Sequence, residues 1–248
     1  MDAMQARPTD VSIGDALSRG WEALKAHPVP AILGFFIYAL ITGIGGAIPY
    51  VGVLFTLLVR APFDGGLATL SLHLSREESP QVEDIFAGFK KYGKFLGVFW
   101  VFTLVFIACF FPAIIAAVFG GIMGLIMRKA TVAFGLAMGL AVLFGLIGLV
   151  IYIFIIVRWL FAYYLIVDRD DLTVMTALRE SARLTEGYRL SIFLAYFVIG
   201  LVGALGILAC CVGVFITGPI ASTGTASVYE QMKLIKGWTT VEPVPQQV

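Results

Sequence analysis

The chain has 248 residues, of which 60% are hydrophobic and only 13% are charged, and its formal net charge is +1. Soluble domains carry about 25% charged residues, so the composition excludes an ordinary soluble domain and indicates a polytopic membrane protein. With balanced charge and no basic stripe, the sequence gives no reason to expect a nucleic-acid partner. The cysteines Cys109, Cys210 and Cys211 show neither a disulfide framework nor a metal-ligand spacing, and we interpret them as small buried thiols.

One uncharged stretch is long enough to define the class of the protein. Residues 130–157 contain no charged side chain over 28 positions. As a helix they would extend about 42 Å at about 1.5 Å per residue, whereas a bilayer core needs only about 20 apolar residues. We therefore predict a membrane span over 131–167, and we expect the other apolar segments to gather around it as an all-α bundle of membrane helices.

The first elements in the chain are a polar tail and a surface helix. Residues 1–10 are polar, and because no basic segment is followed directly by a short apolar run and a small-residue cleavage site, we expect no cleavable signal peptide here. Ser12 and Asp15 form an S-x-x-D capping pattern at the start of an amphipathic helix over 12–26. Its apolar face consists of Ile13, Leu17, Trp21 and Leu24. This helix is too polar to span a bilayer and is expected to lie in the membrane interface.

Six spans follow, interleaved with two more surface helices. Glycines and Pro49 divide the uncharged run 29–59, and Ser79 with Pro80 forms a favourable N-cap and first-turn pair for a second amphipathic helix. The predicted elements after the first helix are spans over 29–47 and 50–75, an amphipathic helix from 79, a span over 95–118, a connection over 120–129, the span over 131–167, an amphipathic helix over 171–188, and spans over 190–209 and 212–229, the last broken by Pro219. Residues 239–248 predict a disordered tail.

The elements form a pattern that occurs three times. Residues 11–238 are expected to be one six-helix membrane domain with repeats over 11–77, 78–168 and 169–238, and in each repeat an amphipathic helix precedes a hairpin of two spans. The similarity of residues 15–17 to residues 176–178 supports this repeat. Chance similarity between apolar segments is the alternative explanation.

The basic residues predict the orientation of the spans. Of the 17 lysines and arginines, 13 lie in the N-terminal segment, the two later amphipathic segments and the C-terminal segment, whereas Arg128 and Lys129 lie in an opposite connection. We therefore expect both termini and all three amphipathic helices on the cytoplasmic side, where they would contact anionic headgroups or only brace the hairpins. A single helix over 29–59 would place the cluster around Lys90 outside, and we disfavour it.

The sequence carries no familiar catalytic motif, and the candidates for function are charges inside the spans. We predict no catalytic, cofactor-binding or metal-ligating residue and no bound cofactor. Arg60 and Asp64 are four residues apart and therefore share one helix face. A charge near the midplane costs at least about 2.5–3.5 kcal/mol. The pair is therefore either a structural ion pair or a polar site for an ion, a proton or a lipid headgroup.

Arg158 completes the candidate intramembrane polar site, with Arg60 and Asp64. Aromatic residues typical of an interfacial belt follow it, namely Trp159, Tyr163 and Tyr164. Its guanidinium is expected to snorkel to cytoplasmic headgroups, and the alternative is an ion pair with Asp64. The G-x-x-x-G formed by Gly135 and Gly139 indicates helix packing inside the bundle, with homodimerisation as the alternative.

A longer pattern resembles a known set of proteins. Residues 177–187 resemble the A-L-x-x-S-x-x-L-x-x-G signature before the fifth span of a broad set of bacterial six-helix membrane proteins, and residues 83–89 and 219–229 fit the same pattern. The set includes the membrane domain attached to some bacterial glycerophosphoryl diester phosphodiesterases. The resemblance implies a bundle in the bacterial inner membrane. It carries over no catalytic residue, because the phosphodiesterase chemistry belongs to a separate soluble barrel for which this chain has no room.

These observations favour a non-enzymatic membrane protein. We expect a scaffold or lipid-interacting protein whose partners are membrane lipids with anionic headgroups, and also a membrane-protein partner or a second copy of the chain. The first alternative is a small transporter or channel that uses Arg60 and Asp64, because interrupted spans often line sites. An enzyme acting on lipid is the second alternative, and the scarcity of histidines and clustered carboxylates weighs against it.

Overall fold

A computed structural model describes residues 10–47, 51–126, 131–208 and 213–238. The predicted tails, the connection residues Arg128 and Lys129, and the pair Cys210-Cys211 lie outside these ranges. Within them the chain is helical and contains no strand. The helices are α1 (Ile13–Ala26), α2 (Pro28–Ala47), α3 (Val51–Leu58), α4 (Arg60–Arg76), a 3-10 helix (Val82–Lys91), α5 (Tyr92–Ile126), α6 (Thr131–Trp159), α7 (Ala162–Asp168), α8 (Val174–Leu184), α9 (Arg189–Leu208) and α10 (Val214–Lys236).

Several helices are long and apolar enough to cross a membrane. In the described part of the chain there are four such segments, over Pro28–Gly46, Val82–Ile122, Phe134–Asp168 and Arg189–Ile207. The bent pair Gly52–Leu58 and Arg60–Arg76 makes five if it counts as one span. The prediction of an all-helical membrane protein is thus confirmed. The predicted sixth span corresponds to α10, which falls outside these candidates because serines, threonines, glycines and charges dilute its apolar residues.

The chain divides into two compact units. The main unit contains the residues up to Val98 and from Trp159 onward, and the α5/α6 unit contains Phe99–Arg158. A hydrophobic core in the main unit joins α1, α2, α4, α10 and the 3-10 helix. Its buried members include Ala23, Leu24, Ala31, Phe63, Leu70, Leu74, Ile85 and Ile220.

The predicted cap of α1 is confirmed, and the side of α1 that is buried in the protein differs from the predicted apolar face. The hydroxyl of Ser12 accepts a hydrogen bond from the Asp15 backbone N–H at 3.2 Å. The buried side is made of small residues and one leucine, namely Ala16, Gly20, Ala23 and Leu24. A Cβ on Gly20 would lie 2.5 Å from the Ile220 carbonyl oxygen, so the missing side chain permits close packing on α10. Trp21, expected on the apolar face, is 49% exposed.

The second surface element differs from its prediction in type and in start. It is a 3-10 helix that begins at Val82, and Gln81 rather than Ser79 is its N-cap. The reason is that the Asp84 carboxylate reaches back to the Gln81 backbone N–H at 3.0 Å and fixes the first turn there. Glycine on both sides brings this helix against α4, because a Cβ on Gly66 would overlap the Ile85 carbonyl.

The second predicted span is bent, and the bend has an identifiable cause. Helices α3 and α4 meet at Val59 with a 52° angle. Pro62 has no N–H and its ring clashes with the carbonyl four residues earlier, which belongs to Leu58. That carbonyl instead accepts a hydrogen bond from the Tyr92 hydroxyl at 2.9 Å. The bend therefore lies one turn before Pro62 and leaves Arg60 at the start of α4.

The later elements follow the predicted order with shifted boundaries. The expected connection at Gly120 and Gly121 is wrong, since α5 continues through both to Ile126. The expected span over 131–167 is interrupted between α6 and α7, where the Phe161 backbone N–H donates to the Ser181 hydroxyl at 3.1 Å. Helix α10 runs through Pro219 without a break.

The α5/α6 unit is an antiparallel pair of helices. The Tyr152 ring lies 5.3 Å from that of Phe106, and a Cβ on Gly148 would overlap the Cys109 carbonyl. The G-x-x-x-G formed by Gly135 and Gly139, which was predicted to pack helices together, makes no close helix contact within the described residues of this unit. A Cβ on Gly135 or on Gly139 would meet nothing within 4 Å among the described residues.

Candidate functional site

The main unit contains a cavity of about 490 Å³, within the range typical of ligand pockets. It lies between α2, α4, α7, α9 and α10, and its lining is predominantly apolar. The lining residues are Phe35, Asp64, Leu67, Ala68, Ser71, Leu160, Tyr163, Tyr164, Tyr196, Ile199, Gly200, Gly203, Val214, Gly218, Ala221, Ser222 and Thr225. Helices α2, α7 and α9 belong to candidate spans, and α4 belongs to the bent pair that makes a fifth if it counts as one span.

Asp64, a residue of the predicted polar site, lies in the wall of this cavity. Its Oδ1 accepts a hydrogen bond from the Tyr38 hydroxyl at 2.7 Å. The Nε of Arg60 lies 3.7 Å from its Oδ2, which is an ion-pair distance longer than a hydrogen bond. The side chain of Arg60 is 50% exposed and that of Asp64 is 26% exposed. The structure thus brings the predicted pair together and adds Tyr38, which the sequence analysis did not identify.

A second part of the lining is polar but uncharged. The hydroxyls of Tyr164 and Thr225 are 2.8 Å apart and hydrogen bonded. Ser71 is 1% exposed, and its hydroxyl has no hydrogen-bond partner within the described ranges. An unsatisfied buried hydroxyl costs about 1–3 kcal/mol. Ser71 therefore gives the cavity a group that a hydrogen-bonding occupant would satisfy.

A charged cluster joins the ends of three helices beyond the cavity. Arg76 at the end of α4 donates to both oxygens of Asp168 at 2.7 and 2.9 Å, and it also pairs with Glu230. Lys233 lies 3.0 Å from Asp168, and the Tyr229 hydroxyl donates to the same carboxylate at 2.8 Å. The cluster contains two cations and two anions, so its net charge is zero. Each charged side chain forms an ion pair with an oppositely charged one. We assign it a structural role, which is to hold α4, α7 and α10 together.

Lysine contacts stabilise the segment after the cluster. Lys91 donates to the last carbonyls of α7, those of Ile166 and Val167, at 2.6 and 2.9 Å. Its Nζ also lies 2.6 Å from an Asp170 carboxylate oxygen. This hydrogen bond lowers the pKa of the exposed Asp170 carboxyl below its ordinary value. Positive charge at the C-terminus of a helix is favourable, so Lys91 fixes both the end of α7 and the turn that follows.

Arg158, the remaining predicted site residue, is exposed in the last turn of α6 in the α5/α6 unit. Its predicted ion pair with Asp64 and its predicted snorkelling both stay predictions. No group of three or more histidine, cysteine or acidic side chains that could hold a metal ion occurs in the part of the chain that the structure describes.

Comparison with known proteins identifies a family but no characterised relative. The chain matches a family described as a protein of unknown function, DUF975, over residues 21–233, and it therefore belongs to that family. Neither the curated proteins nor the solved structures yield a match. The resemblance to the membrane domain of glycerophosphoryl diester phosphodiesterases stays a prediction.

Proposed function

We propose that this family member is a non-enzymatic integral membrane protein that binds a membrane amphiphile in the cavity of its main unit. The cavity itself carries the proposal. It has the volume of a ligand site, its wall is mainly apolar, and it has a few polar groups at defined positions. An aliphatic chain would cover the apolar wall, while Asp64, Ser71 and Thr225 would face its polar part.

The proposal includes the topology expected from the sequence. We place the protein in the bacterial inner membrane with six spans arranged as three hairpins and with both termini in the cytoplasm. Helix α10 would be the sixth span, because none of its polar residues is fully exposed: Thr223, Ser227, Gln231 and Lys233 are among the buried ones, and the others are partly buried. The concentration of 13 of the 17 basic residues in the proposed cytoplasmic segments supports this orientation.

Surface contacts would accompany the cavity. Helix α1, the 3-10 helix and α8 would lie in the cytoplasmic interface as amphipathic elements and contact anionic headgroups. The exposed side chains of Trp21, Phe86 and Phe89 support this arrangement. A scaffold role, with a membrane-protein partner or a second copy of the chain, is compatible with lipid binding and belongs to the same proposal.

Filling the cavity tests the proposed function. Gly200 lines the cavity, and a Cβ there would meet nothing within 4 Å in the described structure, so we expect Gly200→Leu to add a side chain at the cavity wall without a clash. Gly139→Leu is the matched control, since a Cβ on this helical glycine also meets nothing among the described residues.

The measurement is the amount of lipid that remains with the protein after purification in dodecyl maltoside, determined by native mass spectrometry. We expect Gly200→Leu to retain about tenfold less lipid, the ratio that about 1.4 kcal/mol produces, and Gly139→Leu to match the original protein. Equal lipid retention in both variants would exclude the cavity as the binding site.

Transport is the second candidate function, and the bend between α3 and α4 favours it. Interrupted helices line the substrate sites of many transporters, and here the interruption at Val59 lies next to Arg60 and five residues before Asp64. Proton flux into proteoliposomes, measured with an enclosed pH-sensitive dye, tests this role. Transport through the site requires a flux that Asp64→Asn abolishes and Asp171→Asn preserves.

A further inference from the structure

The cavity wall contains one acidic side chain and no basic one among the described lining residues, and the acidic residue is Asp64. We infer that the cavity selects amphiphiles whose polar end is an ammonium group, with Asp64 as the counter-ion. This inference rests on the proposed function, because it names the ligand class of the same cavity.

The contacts of Asp64 leave it able to bind a cation. The Tyr38 hydroxyl occupies Oδ1 with one hydrogen bond, whereas a carboxylate offers about four lone-pair sites. Arg60 lies at 3.7 Å from Oδ2, is half exposed and is not part of the cavity wall. Arg60 therefore offsets part of the negative charge without a direct hydrogen bond, and the carboxylate retains acceptor sites for a ligand.

The neighbouring rings reinforce the same selection. The aromatic side chains in the wall are Phe35, Tyr163, Tyr164 and Tyr196. The face of an aromatic ring attracts a cation within about 6 Å and repels an anion. An alkyl sulfate or a fatty acid would bring its negative charge towards the Asp64 carboxylate, which repels it. The cavity therefore accepts an ammonium group and excludes an anionic one.

Ser71 supplies an independent observation that points to a ligand with a hydrogen-bonding group. Its hydroxyl is buried in the wall without a partner within the described ranges. It lies seven residues after Asp64 on the same face of α4, about 10 Å along the helix. A ligand with its ammonium group at Asp64 would satisfy this hydroxyl with a carbonyl or hydroxyl farther along its body.

Three probes with the same chain separate the charge preference from simple lipid binding. They are hexadecyltrimethylammonium, hexadecan-1-ol and hexadecyl sulfate, and each is measured as a radiolabelled ligand of the full-length protein in dodecyl maltoside. We expect the ammonium probe to bind at least about tenfold tighter than the alcohol, the ratio that about 1.4 kcal/mol produces, and the sulfate probe to bind weakest. Asp64→Asn should bring the ammonium affinity to that of the alcohol. Asp171→Asn, an exposed aspartate outside the cavity, should leave all three affinities unchanged.

Arg60→Gln gives a test in the opposite direction. Removing the competing guanidinium should raise the affinity for the ammonium probe relative to the alcohol, whereas a purely structural ion pair predicts no such increase. If Asp64→Asn fails to fold, the affinities measured for Arg60→Gln still test the preference for an ammonium group. An unchanged ratio in Arg60→Gln, or a retained ammonium preference in a folded Asp64→Asn, overturns the inference.

The two proposals fail in distinguishable ways. If all three probes bind equally and Gly200→Leu abolishes their binding, the cavity is a lipid site without charge selection, and only the inference fails. If no probe responds to Gly200→Leu, the cavity is not the binding site, and the proposed function fails together with the inference.

Discussion

The charged cluster at the ends of α4, α7 and α10 predicts a large effect of one substitution. Asp168 is 11% exposed and accepts hydrogen bonds from Arg76, Tyr229 and Lys233. Asp168→Asn keeps the shape of the side chain but leaves two cations with Glu230 as their counter-charge. Hydrogen bonds to a charged acceptor contribute about 1.5–3 kcal/mol and neutral ones about 0.5–1.5, so a loss of about 1 kcal/mol at each of three donors gives about 3 kcal/mol. Breaking a buried ion pair costs a similar 3–5 kcal/mol.

The assay is equilibrium unfolding by sodium dodecyl sulfate from dodecyl maltoside micelles, followed by circular dichroism. Asp171→Asn is the matched control, because its side chain is 69% exposed in its pair with Arg169 and such surface pairs contribute at most about 1 kcal/mol. Adding Lys233→Met to Asp168→Asn should recover part of the loss, since it removes the surplus cation. A loss of unfolding free energy no larger for Asp168→Asn than for Asp171→Asn would refute the reasoning.

Three further predictions use the same unfolding assay. Gly66→Ala should lower the unfolding free energy by about 1–3 kcal/mol, because its Cβ would overlap the Ile85 carbonyl. Gly14→Ala is the control, since a Cβ there would lie in open space, and it should raise the unfolding free energy by up to about 1 kcal/mol. Equal effects of the two substitutions would contradict the close packing of Gly66. Tyr92→Phe should cost about 1 kcal/mol, because its hydroxyl satisfies the main-chain carbonyl at the α3–α4 bend, and an unchanged midpoint would argue against that role. Glu77→Gly should stabilise the protein by about 1 kcal/mol, because Glu77 caps α4 at φ 58°; a decrease would show that its side chain matters more than its backbone.

Hydrophobic periodicity and capping chemistry predicted much of the helical framework. The span over 29–47 corresponds to α2 at Pro28–Ala47, and the span over 190–209 corresponds to α9 at Arg189–Leu208. The Ser12 cap was predictable because it depends on residues within one turn. The bend at Val59 was only partly predictable, since Pro62 is visible in the sequence but its steric effect falls on the carbonyl one turn earlier.

The candidate site was less accessible to sequence reasoning. Arg60 and Asp64 stood out because charges are rare within apolar spans. Their partner Tyr38, on a different helix, did not, because nothing in the spacing of residues indicates which tyrosine faces an aspartate. The cavity wall could not be predicted for the same reason. A leucine or glycine that lines a cavity, such as Leu67 or Gly200, has the same pattern in the sequence as one that packs against another helix. One sequence signal for the charged cluster went unused, because acidic and basic residues occur together at the same predicted side of three predicted spans.

The separation of the Arg76 partners along the chain has a consequence for biosynthesis. Asp168 is made 92 residues after Arg76 and Glu230 is made 154 residues after it. At about 5–20 residues per second, the ribosome needs roughly 8–30 s to deliver the last of these counter-charges. During that interval the nascent chain carries an arginine whose final neighbours do not yet exist. A ribosome that stalls before residue 168 would therefore leave an incomplete product in which Arg76 lacks both of its carboxylate partners.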